Sequence, residues 1–227
     1  MDMLAFSGHE INNVLSRLLL NIELLSREDQ ANKTDRHERA IRNLNQNAQM
    51  LHSIAKSYIA LARVTDQSRT VYSMTTFEPV SQIIEPLVSS YSYTLAEHNL
   101  TVEIGSSDAK GLSICADHSL MTSVFDNLLN NAIKYGEPGT LIQITLSQVA
   151  GNIEISFKNH AQNIDEQAIA HLFDRFTRGP NIHNKNGSGI GLYLVKQVIE
   201  THGGTVRAEV TPNDEVIFTV SIPGYIA

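Results

Sequence analysis

The stretch NGSGIGLYLVKQVIETHGG, residues 186–204, places a glycine-rich loop directly before a helix. Gly187, Gly189 and Gly191 form a Gly-x-Gly-x-Gly run, and the apolar residues that follow recur at helical spacing. Glycine lets a backbone approach a phosphate group closely, and the first turn of a helix offers unpaired N–H groups. Glycine turns also precede helices for structural reasons alone, so the run by itself leaves both interpretations open.

A second stretch, DNLLNNAIKYG at residues 126–136, carries polar residues that belong to one helix face. Asn127 and Asn131 are four residues apart and therefore share that face. Amide oxygens are suitable ligands for Mg²⁺, which usually keeps several waters and bridges phosphates. Lys134 follows at a spacing that would let its ammonium group reach a phosphate as a point charge. The alternative is a helix with several asparagines on its solvent-exposed face.

The sequence around these two stretches predicts an α/β fold. Six segments have the pattern of strands, several of them alternating with period two: LTVEIG, LSICAD, LIQITLSQ, NIEISFKN, GTVRAEV and EVIFTVSI. The two helical stretches fall between them, and TFEPVSQIIEPLVSSYSYTLAEHN has the pattern of a strand start followed by a helix. Residues 70–227 are therefore predicted to form an α/β sandwich of helices on a mixed sheet.

The amino-terminal part of the chain has a different period. From Leu4 to Leu25 the apolar residues recur in steps of seven, four and three. After the polar SREDQANKTD, a second seam runs from Ile41 to Ala62 in steps of three and four, a heptad repeat. This pattern predicts a helical hairpin over residues 1–67. A lone hairpin leaves one face of each helix in water, so two chains are predicted to pair into a dimeric four-helix bundle.

His9 lies in the first predicted helix, about 160–180° around the axis from Ile11 and Leu18, and so faces away from the seam. Glu10 is adjacent, and Asn13 lies one turn further on. The segment HEINN lacks a second histidine four residues on, which excludes a zinc-protease motif. An exposed imidazole beside a carboxylate suits a phosphoryl acceptor, provided that the chain also binds ATP. The other interpretation is an ordinary surface histidine, one of nine in the chain.

The composition narrows the class of protein. A formal net charge of -7 argues against nonspecific nucleic-acid binding, which needs clustered Lys and Arg. A single cysteine, Cys115, excludes an intramolecular disulfide and fits a reducing compartment. No stretch approaches the roughly 18 consecutive apolar residues of a membrane helix, and the start MDMLAFSG lacks the pattern of a signal peptide. We therefore predict a cytoplasmic chain without a membrane segment.

The order of these motifs resembles that of the two-component sensor histidine kinases. His-Glu-x-x-Asn on a hairpin is followed by Asn-x-x-x-Asn-Ala-x-Lys-Tyr, then LFDRFTRG, then Gly-x-Gly-Ile-Gly-Leu-x-Leu-Val-Lys. The resemblance covers a dimerisation and histidine phosphotransfer hairpin at residues 1–67 and an ATP-binding domain of the histidine kinase and Hsp90 type at residues 70–227. It implies a protein-histidine kinase that uses ATP and Mg²⁺, forms a homodimer through the hairpin and passes a phosphoryl group to the receiver domain of a response regulator.

The resemblance also implies roles for individual residues. His9 would accept the phosphoryl group, Glu10 would act as its acid–base partner, and Asn13 matches the position that orients water during dephosphorylation of the regulator. Asn131, with Asn127 nearby, would hold Mg²⁺. Lys134 and Tyr135 would line the nucleotide, and the phosphates would be cradled by Gly187, Gly189 and Gly191. Phe173 and Phe176 would anchor a flexible lid formed by TRGPNIHNKNGSG, residues 177–189.

The sequence departs from the family pattern in its adenine-binding box. Relatives carry Asp-x-Gly-x-Gly there, whereas this chain has NHAQNI, with Asn159, Ala161 and Asn163 in the three positions. Asn159 still offers a carbonyl acceptor to the adenine amino group, although a charged acceptor makes a bond about twice as strong as a neutral one. Two hypotheses follow. The chain is an active kinase, or it is a pseudokinase-like phosphotransfer protein or kinase-binding regulator with weak or no ATP binding. In either case a separate sensor protein would be a source of input.

Overall fold

The computed structural model describes residues 14–22, 25, 33–65, 72–106, 111–161, 169, 171–175, 177 and 189–225. The chain divides into two compact units, Met1–Ile59 with Asn186–Ser188, and Ala60–Lys185 with Gly189–Ala227. The first unit contains helix α1, residues 14–22, and most of helix α2, Lys33–Thr65. The predicted domain bounds of 1–67 and 70–227 stay a prediction. None of the helices in the described ranges is long and apolar enough to cross a membrane.

In the first unit, the buried stripe of each helix lies one residue before part of the predicted seam. Val14 and Asn21 are buried in α1, and Ala40, Asn47 and Ile54 are buried in α2. The Asn43 Nδ2 donates to the Asn21 Oδ1 at 3.4 Å, which links the two helices. The seam residues next to this stripe are exposed: Leu15, Ile22, Ile41, Ala48 and Ala55. These seam residues are therefore not covered within the single chain, because a pair of helices buries only one stripe of each.

The second unit contains a seven-stranded sheet and the helices that connect its strands. Its elements in chain order are β1 (Met74–Phe77), a π-helical turn (Val80–Ile84), α3 (Glu85–Ser90), α4 (Ser92–Glu97), β2 (Thr101–Ser106), β3 (Ser113–Asp117), α5 (His118–Tyr135), β4 (Leu141–Val149), β5 (Asn152–His160), α6 (Gly191–Thr201), β6 (Thr205–Val210) and β7 (Glu215–Tyr225). All six segments with a predicted strand pattern form strands here.

The strand order is β1-β3-β7-β5-β4-β2, with β6 pairing the opposite side of β7 from β5. Strands β2 and β4 run parallel, and the other pairs are antiparallel. This arrangement confirms the prediction of a mixed sheet with helices. The long strand β7 pairs with β5 along nearly its whole length, from Glu215 to Pro223, and so forms the centre of the sheet.

The core of the second unit lies between α5, α6 and one face of the sheet. Alternate residues of β4 and β5 are buried, as the period of two predicts: Ile142, Ile144, Leu146, Ile153, Ile155 and Phe157. The Phe157 ring stacks on the ring of Phe125 from α5, with 6.2 Å between centroids. Each fully buried large apolar side chain contributes about 1.5–3 kcal/mol relative to an exposed one, so this layer holds the helices that carry the site.

Candidate functional site

Helix α5 positions the polar residues that the sequence assigns to a nucleotide. Asp117 caps its amino terminus, where the side chain accepts a hydrogen bond from the Leu120 N–H. Asn127 and Asn131 are half-buried beside the apolar stripe of the helix. They lie at the margin of the core, so the alternative of a fully solvent-exposed asparagine face is wrong for these two residues. The stripe consists of Leu120, Met121, Val124, Phe125, Leu128, Leu129, Ala132 and Ile133.

The amino terminus of α6 meets the asparagine helix at Asn127. A Cβ built on Gly191, the first residue of α6, would collide with the Asn127 Oδ1. The Asn127 Nδ2 donates to the Ser123 carbonyl at 2.7 Å, and this bond orients the amide. Gly189 has a φ of +66°, a conformation that favours glycine. The structure therefore brings the end of the glycine run to the predicted magnesium ligand, as the phosphate-binding interpretation requires.

Asn131 lies one turn beyond Asn127 and has an amide that is open to a ligand. Its side chain forms no hydrogen bond with any residue in the described part of the chain. The same part of the chain contains no group of three or more His, Cys, Asp or Glu residues that could hold a metal ion. A Mg²⁺ ion held by amide oxygens would complete its coordination with water and phosphate oxygens. The donor set thus fits a magnesium ion that arrives with a nucleotide.

Lys134 and Tyr135 form the carboxyl-terminal end of the same helix. The Lys134 Nζ lies 4.9 Å from the centroid of the Tyr135 ring, which is a cation–π contact. The Glu137 N–H then donates to the His160 carbonyl at 3.0 Å. This bond fastens the segment after α5 to the end of β5, so the predicted nucleotide residues of both elements lie in one region.

Asn159 is the buried polar residue at the end of β5. It follows Ile153, Ile155 and Phe157 on the helix-facing side of the sheet and is only 3% exposed. Its Nδ2 donates to the His160 carbonyl at 3.1 Å, whereas its Oδ1 accepts no hydrogen bond from the described residues. A buried acceptor without a partner costs about 1–3 kcal/mol, so this position favours a ligand that donates a hydrogen bond to the Oδ1.

Ala161, the second departure from the family box, is also buried. It is 7% exposed, and its N–H donates to the Asp214 carbonyl at 3.0 Å. Ala161 is not among the residues with positive φ, so its side chain causes no backbone strain there. The third position, Asn163, lies outside the described residues.

The first residues of the segment LFDRFTRG pack on the sheet and on α6. The Phe173 ring meets the Phe218 ring of β7 edge to face, with 6.2 Å between centroids and 89° between planes. The Arg175 guanidinium lies 5.7 Å from the centroid of the Tyr193 ring in α6. These contacts support the predicted role of Phe173 in fixing one end of the lid. Phe176 lies outside the described residues.

Nothing in the sequence points to a hydrogen-bonded pair, Tyr91 and Asp126, that holds α5. The Tyr91 Oη donates to the Asp126 Oδ1 at 2.8 Å, next to Asn127 in the chain. Burial, and secondly the charge of Asp126, raise the pKa of the Tyr91 hydroxyl, so this group stays a hydrogen-bond donor at neutral pH. The two residues are 35 positions apart. No local pattern joins them, so no signal in the sequence could have found the pair.

Four predicted site residues, His9, Glu10, Asn13 and Gly187, lie outside the described residues. Their roles stay predictions. The described part of the site therefore consists of α5, the start of α6 and the end of β5.

Comparison with known proteins identifies the class of this site. Residues 116–226 match the family described as "Histidine kinase-, DNA gyrase B-, and HSP90-like ATPase". This range contains the asparagine helix, Asn159 and the start of α6, so the match defines these elements as a nucleotide-binding domain of that ATPase class.

Similar curated proteins and solved structures extend the likeness to nearly the whole chain. The sensor-like histidine kinase SenX3 of Mycobacterium tuberculosis is 28% identical over 227 residues, which are 99% of this chain and 54% of that protein. The sensor protein VanSC of Enterococcus gallinarum is 26% identical over 98% of this chain and 60% of that protein. The chain thus spans about half the length of the curated relatives it matches.

Two structures show the same fold. The histidine kinase AdeS of Acinetobacter baumannii has a TM-score of 0.68 and 16% identity, covering 95% of this chain and 97% of that one. The histidine kinase ThkA, solved in complex with the response regulator protein TrrA, has a TM-score of 0.69 and 19% identity, covering 97% of this chain and 60% of that one. Taken with the family match, these likenesses show that the chain is similar to two-component sensor histidine kinases over nearly its whole length. The resemblance seen in the motif order is confirmed.

Proposed function

We propose that the chain is a protein-histidine kinase that phosphorylates its own His9 from Mg-ATP and passes the phosphoryl group to an aspartate of a response regulator. The proposal rests mainly on the close approach of Gly191, the first residue of α6, to the Asn127 Oδ1. This approach joins a helix amino terminus, which attracts anions, to an amide that suits a phosphate-bound metal ion. The single cysteine, Cys115, fits a reducing compartment such as the cytoplasm. Transfer to a response regulator fits the same location.

The nucleotide would lie along α5. Different residues would recognise its adenine base and its phosphates. Asn159 would accept a hydrogen bond from the adenine amino group, since its buried Oδ1 has no partner in the described part of the chain. Asn131, with Asn127 beside it, would hold Mg²⁺, which when bound neutralises phosphate charge. Lys134 and Tyr135 would line the nucleotide between these ends. Gly187, Gly189 and Gly191 would present backbone N–H groups to the phosphates.

In the proposed reaction a neutral ring nitrogen of His9 attacks the γ-phosphorus of ATP. The bond between that phosphorus and the bridging oxygen breaks, ADP leaves, and a P–N bond forms. Glu10 accepts the proton from the other ring nitrogen. Transfer to a regulator carboxylate then breaks the P–N bond and restores the imidazole. Asn13 would orient the water that removes the phosphoryl group from the regulator.

We infer that two chains pair through the hairpin. Six large apolar side chains of the first unit are exposed in the single chain, each by 42% or more: Leu15, Leu19, Leu20, Ile22, Ile41 and Ile59. Apolar surface on this scale favours burial against a partner. A second hairpin would cover this apolar surface in a four-helix bundle. The exposed residues of the predicted seam, Leu15, Ile22 and Ile41, would then be buried.

Incubation of the chain with γ-labelled ATP and magnesium tests the proposed function. We expect label on the protein in a form that is stable to base and labile to acid, as a P–N bond is. We also expect transfer of that label to a receiver domain. Absence of label from ATP, together with label accepted from a phosphorylated regulator, would instead support the phosphotransfer carrier with weak or no ATP binding.

Replacing Asn159 by leucine is expected to remove recognition of the adenine amino group. Leucine has a similar volume but no acceptor, so the variant should bind ATP and purine riboside triphosphate, which lacks the amino group, equally well. The wild type should prefer ATP by about tenfold, the usual value of one buried hydrogen bond. Isothermal titration of both nucleotides against both proteins measures the difference. A wild type without preference for ATP would contradict the assignment of Asn159.

A further inference from the structure

The carboxylate of Asp117 is a buried junction between three segments of the second unit. It is only 2% exposed. Its Oδ1 accepts the Leu120 N–H at 3.1 Å, which caps α5. Its Oδ2 accepts the Ser73 N–H and the Arg63 Nη2, each at 3.2 Å. Arg63 lies in the last turn of α2, in the part of that helix that belongs to the second unit.

The backbone of Asp117 reaches a fourth segment. Its N–H donates to the His202 Nε2 at 3.1 Å, and the His202 Nδ1 lies 2.7 Å from the Val198 carbonyl. Because the Asp117 N–H is the donor, the His202 Nε2 accepts, and the Nδ1–H is left to donate to the Val198 carbonyl. His202 is the residue that follows α6. The Tyr72 ring, which precedes Ser73, packs at a tilt on this imidazole, with 6.1 Å between centroids.

The junction and the meeting point of Asn127 with Gly191 are joined by the same two helices, α5 and α6. Along α5, Asn127 lies ten residues after the capping residue Asp117, and along α6, His202 lies eleven residues after Gly191. Both distances correspond to about 15 Å of helix. A rigid helix carries a displacement of one end to the other. A change at Asp117 therefore alters the spacing of α5 and α6 at the point where Asn127 meets Gly191.

We propose that Arg63, Asp117 and His202 are positioning residues that link the end of α2 to the geometry of the nucleotide site. Arg63 holds the start of α5 through the Asp117 carboxylate, and His202 holds the end of α6 through the Asp117 N–H. With all bonds formed, Gly191 and Asn127 stay close enough to share a nucleotide phosphate and its metal ion. This inference rests on the proposed function, because it assigns a role in ATP binding.

The test uses Arg63→Met in the full chain. Methionine keeps much of the apolar stem but removes the guanidinium, so the α2 contact is lost. We expect the KM for ATP in His9 labelling to rise about fivefold while kcat is unchanged, since saturating nucleotide restores the spacing of the helices. Arg63→Lys should recover part of the loss. General destabilisation would lower the active fraction and therefore kcat, so the split between KM and kcat separates the two roles.

Arg207→Met is the matched control. Arg63 donates from Nη2 to the Asp117 carboxylate and from Nη1 to the Ser119 Oγ at 3.3 Å. Arg207 likewise donates from both Nη atoms, to Glu154 at 3.0 and 2.9 Å, but on strands β6 and β5 away from the junction. The change in charge is the same. We expect its KM and kcat to equal those of the wild type. An equal rise in KM in both variants would overturn the inference, because it would reflect the charge and not the junction.

A second measurement does not depend on phosphoryl transfer. The coupling is reciprocal, so adenylyl-imidodiphosphate with Mg²⁺ should slow amide exchange at Ser73 and Leu120 in the wild type but not at Ser73 in Arg63→Met. If the wild type binds the analogue and neither amide responds, the junction has no role and the proposed function stands. If the wild type does not bind the analogue, both the proposed function and this inference are wrong.

Discussion

Replacing His9 by alanine is expected to abolish incorporation of label from γ-labelled ATP, to the level of a sample without protein. The substitution removes the only atom that the proposed reaction phosphorylates in this chain. It leaves the nucleotide residues of the second unit unchanged, so binding of adenylyl-imidodiphosphate with Mg²⁺ should equal that of the wild type. Acid-labile label is measured on denatured protein, and nucleotide affinity by titration calorimetry. Loss of label without loss of affinity is the combination that identifies a phosphoacceptor.

His52→Ala provides the matched control. His52 is an exposed histidine on α2, in the first unit, so this variant also loses one imidazole from that unit. Its labelling should equal that of the wild type. Label that survives in His9→Ala would show that another residue accepts the phosphoryl group. Label that disappears in both variants would show that the hairpin surface, and not one imidazole, is required.

Replacing Gly191 by alanine is expected to weaken ATP binding about tenfold or more. The added Cβ would collide with the Asn127 Oδ1, whose amide is already held by the Ser123 carbonyl. Overpacking of this kind costs about 1–3 kcal/mol, which corresponds to about 5- to 150-fold in affinity when it falls on a binding site. Titration with adenylyl-imidodiphosphate and Mg²⁺ measures the loss, and labelling of His9 should fall in parallel at limiting ATP.

Gly105→Ala controls for the effect of a glycine replacement as such. Gly105 lies in β2, and a Cβ there would meet only the Thr145 Cγ2 at 3.9 Å, an ordinary contact. Its nucleotide affinity and thermal unfolding should match those of the wild type. If Gly191→Ala binds ATP as tightly as Gly105→Ala does, the close approach of α6 to Asn127 does not serve the nucleotide.

The predicted hairpin shows where a sequence pattern and a fold diverge. The heptad period predicted paired helices, and the Asn43–Asn21 hydrogen bond joins two helices in the first unit. The buried residues Val14 and Ala40, however, each lie one residue before a residue of the predicted seam. Two apolar stripes lie side by side on these helices, and periodicity alone does not say which of them faces the same chain and which is left for a partner.

By itself the sequence determined the elements of the second unit. Side-chain alternation along a strand and the 3.6-residue turn of a helix are local properties, so six strands and the asparagine helix could be predicted from their own residues. The motif order indicated the class of protein for the same reason, because Asn127 and Asn131 lie within one helix and the glycine run lies within five consecutive residues.

Only the tertiary structure decided which of these elements meet. Asn127 and Gly191 are 64 positions apart, and the bonds of Asp117 reach Arg63 and His202, which are 54 and 85 positions away. Such contacts depend on how two helices pack on one sheet, and no short stretch of sequence records that packing. The orientation of the Asn159 amide likewise depends on the carbonyl of His160 and on burial against the helices. Residue types define the available chemistry, and packing sets the distances at which it operates.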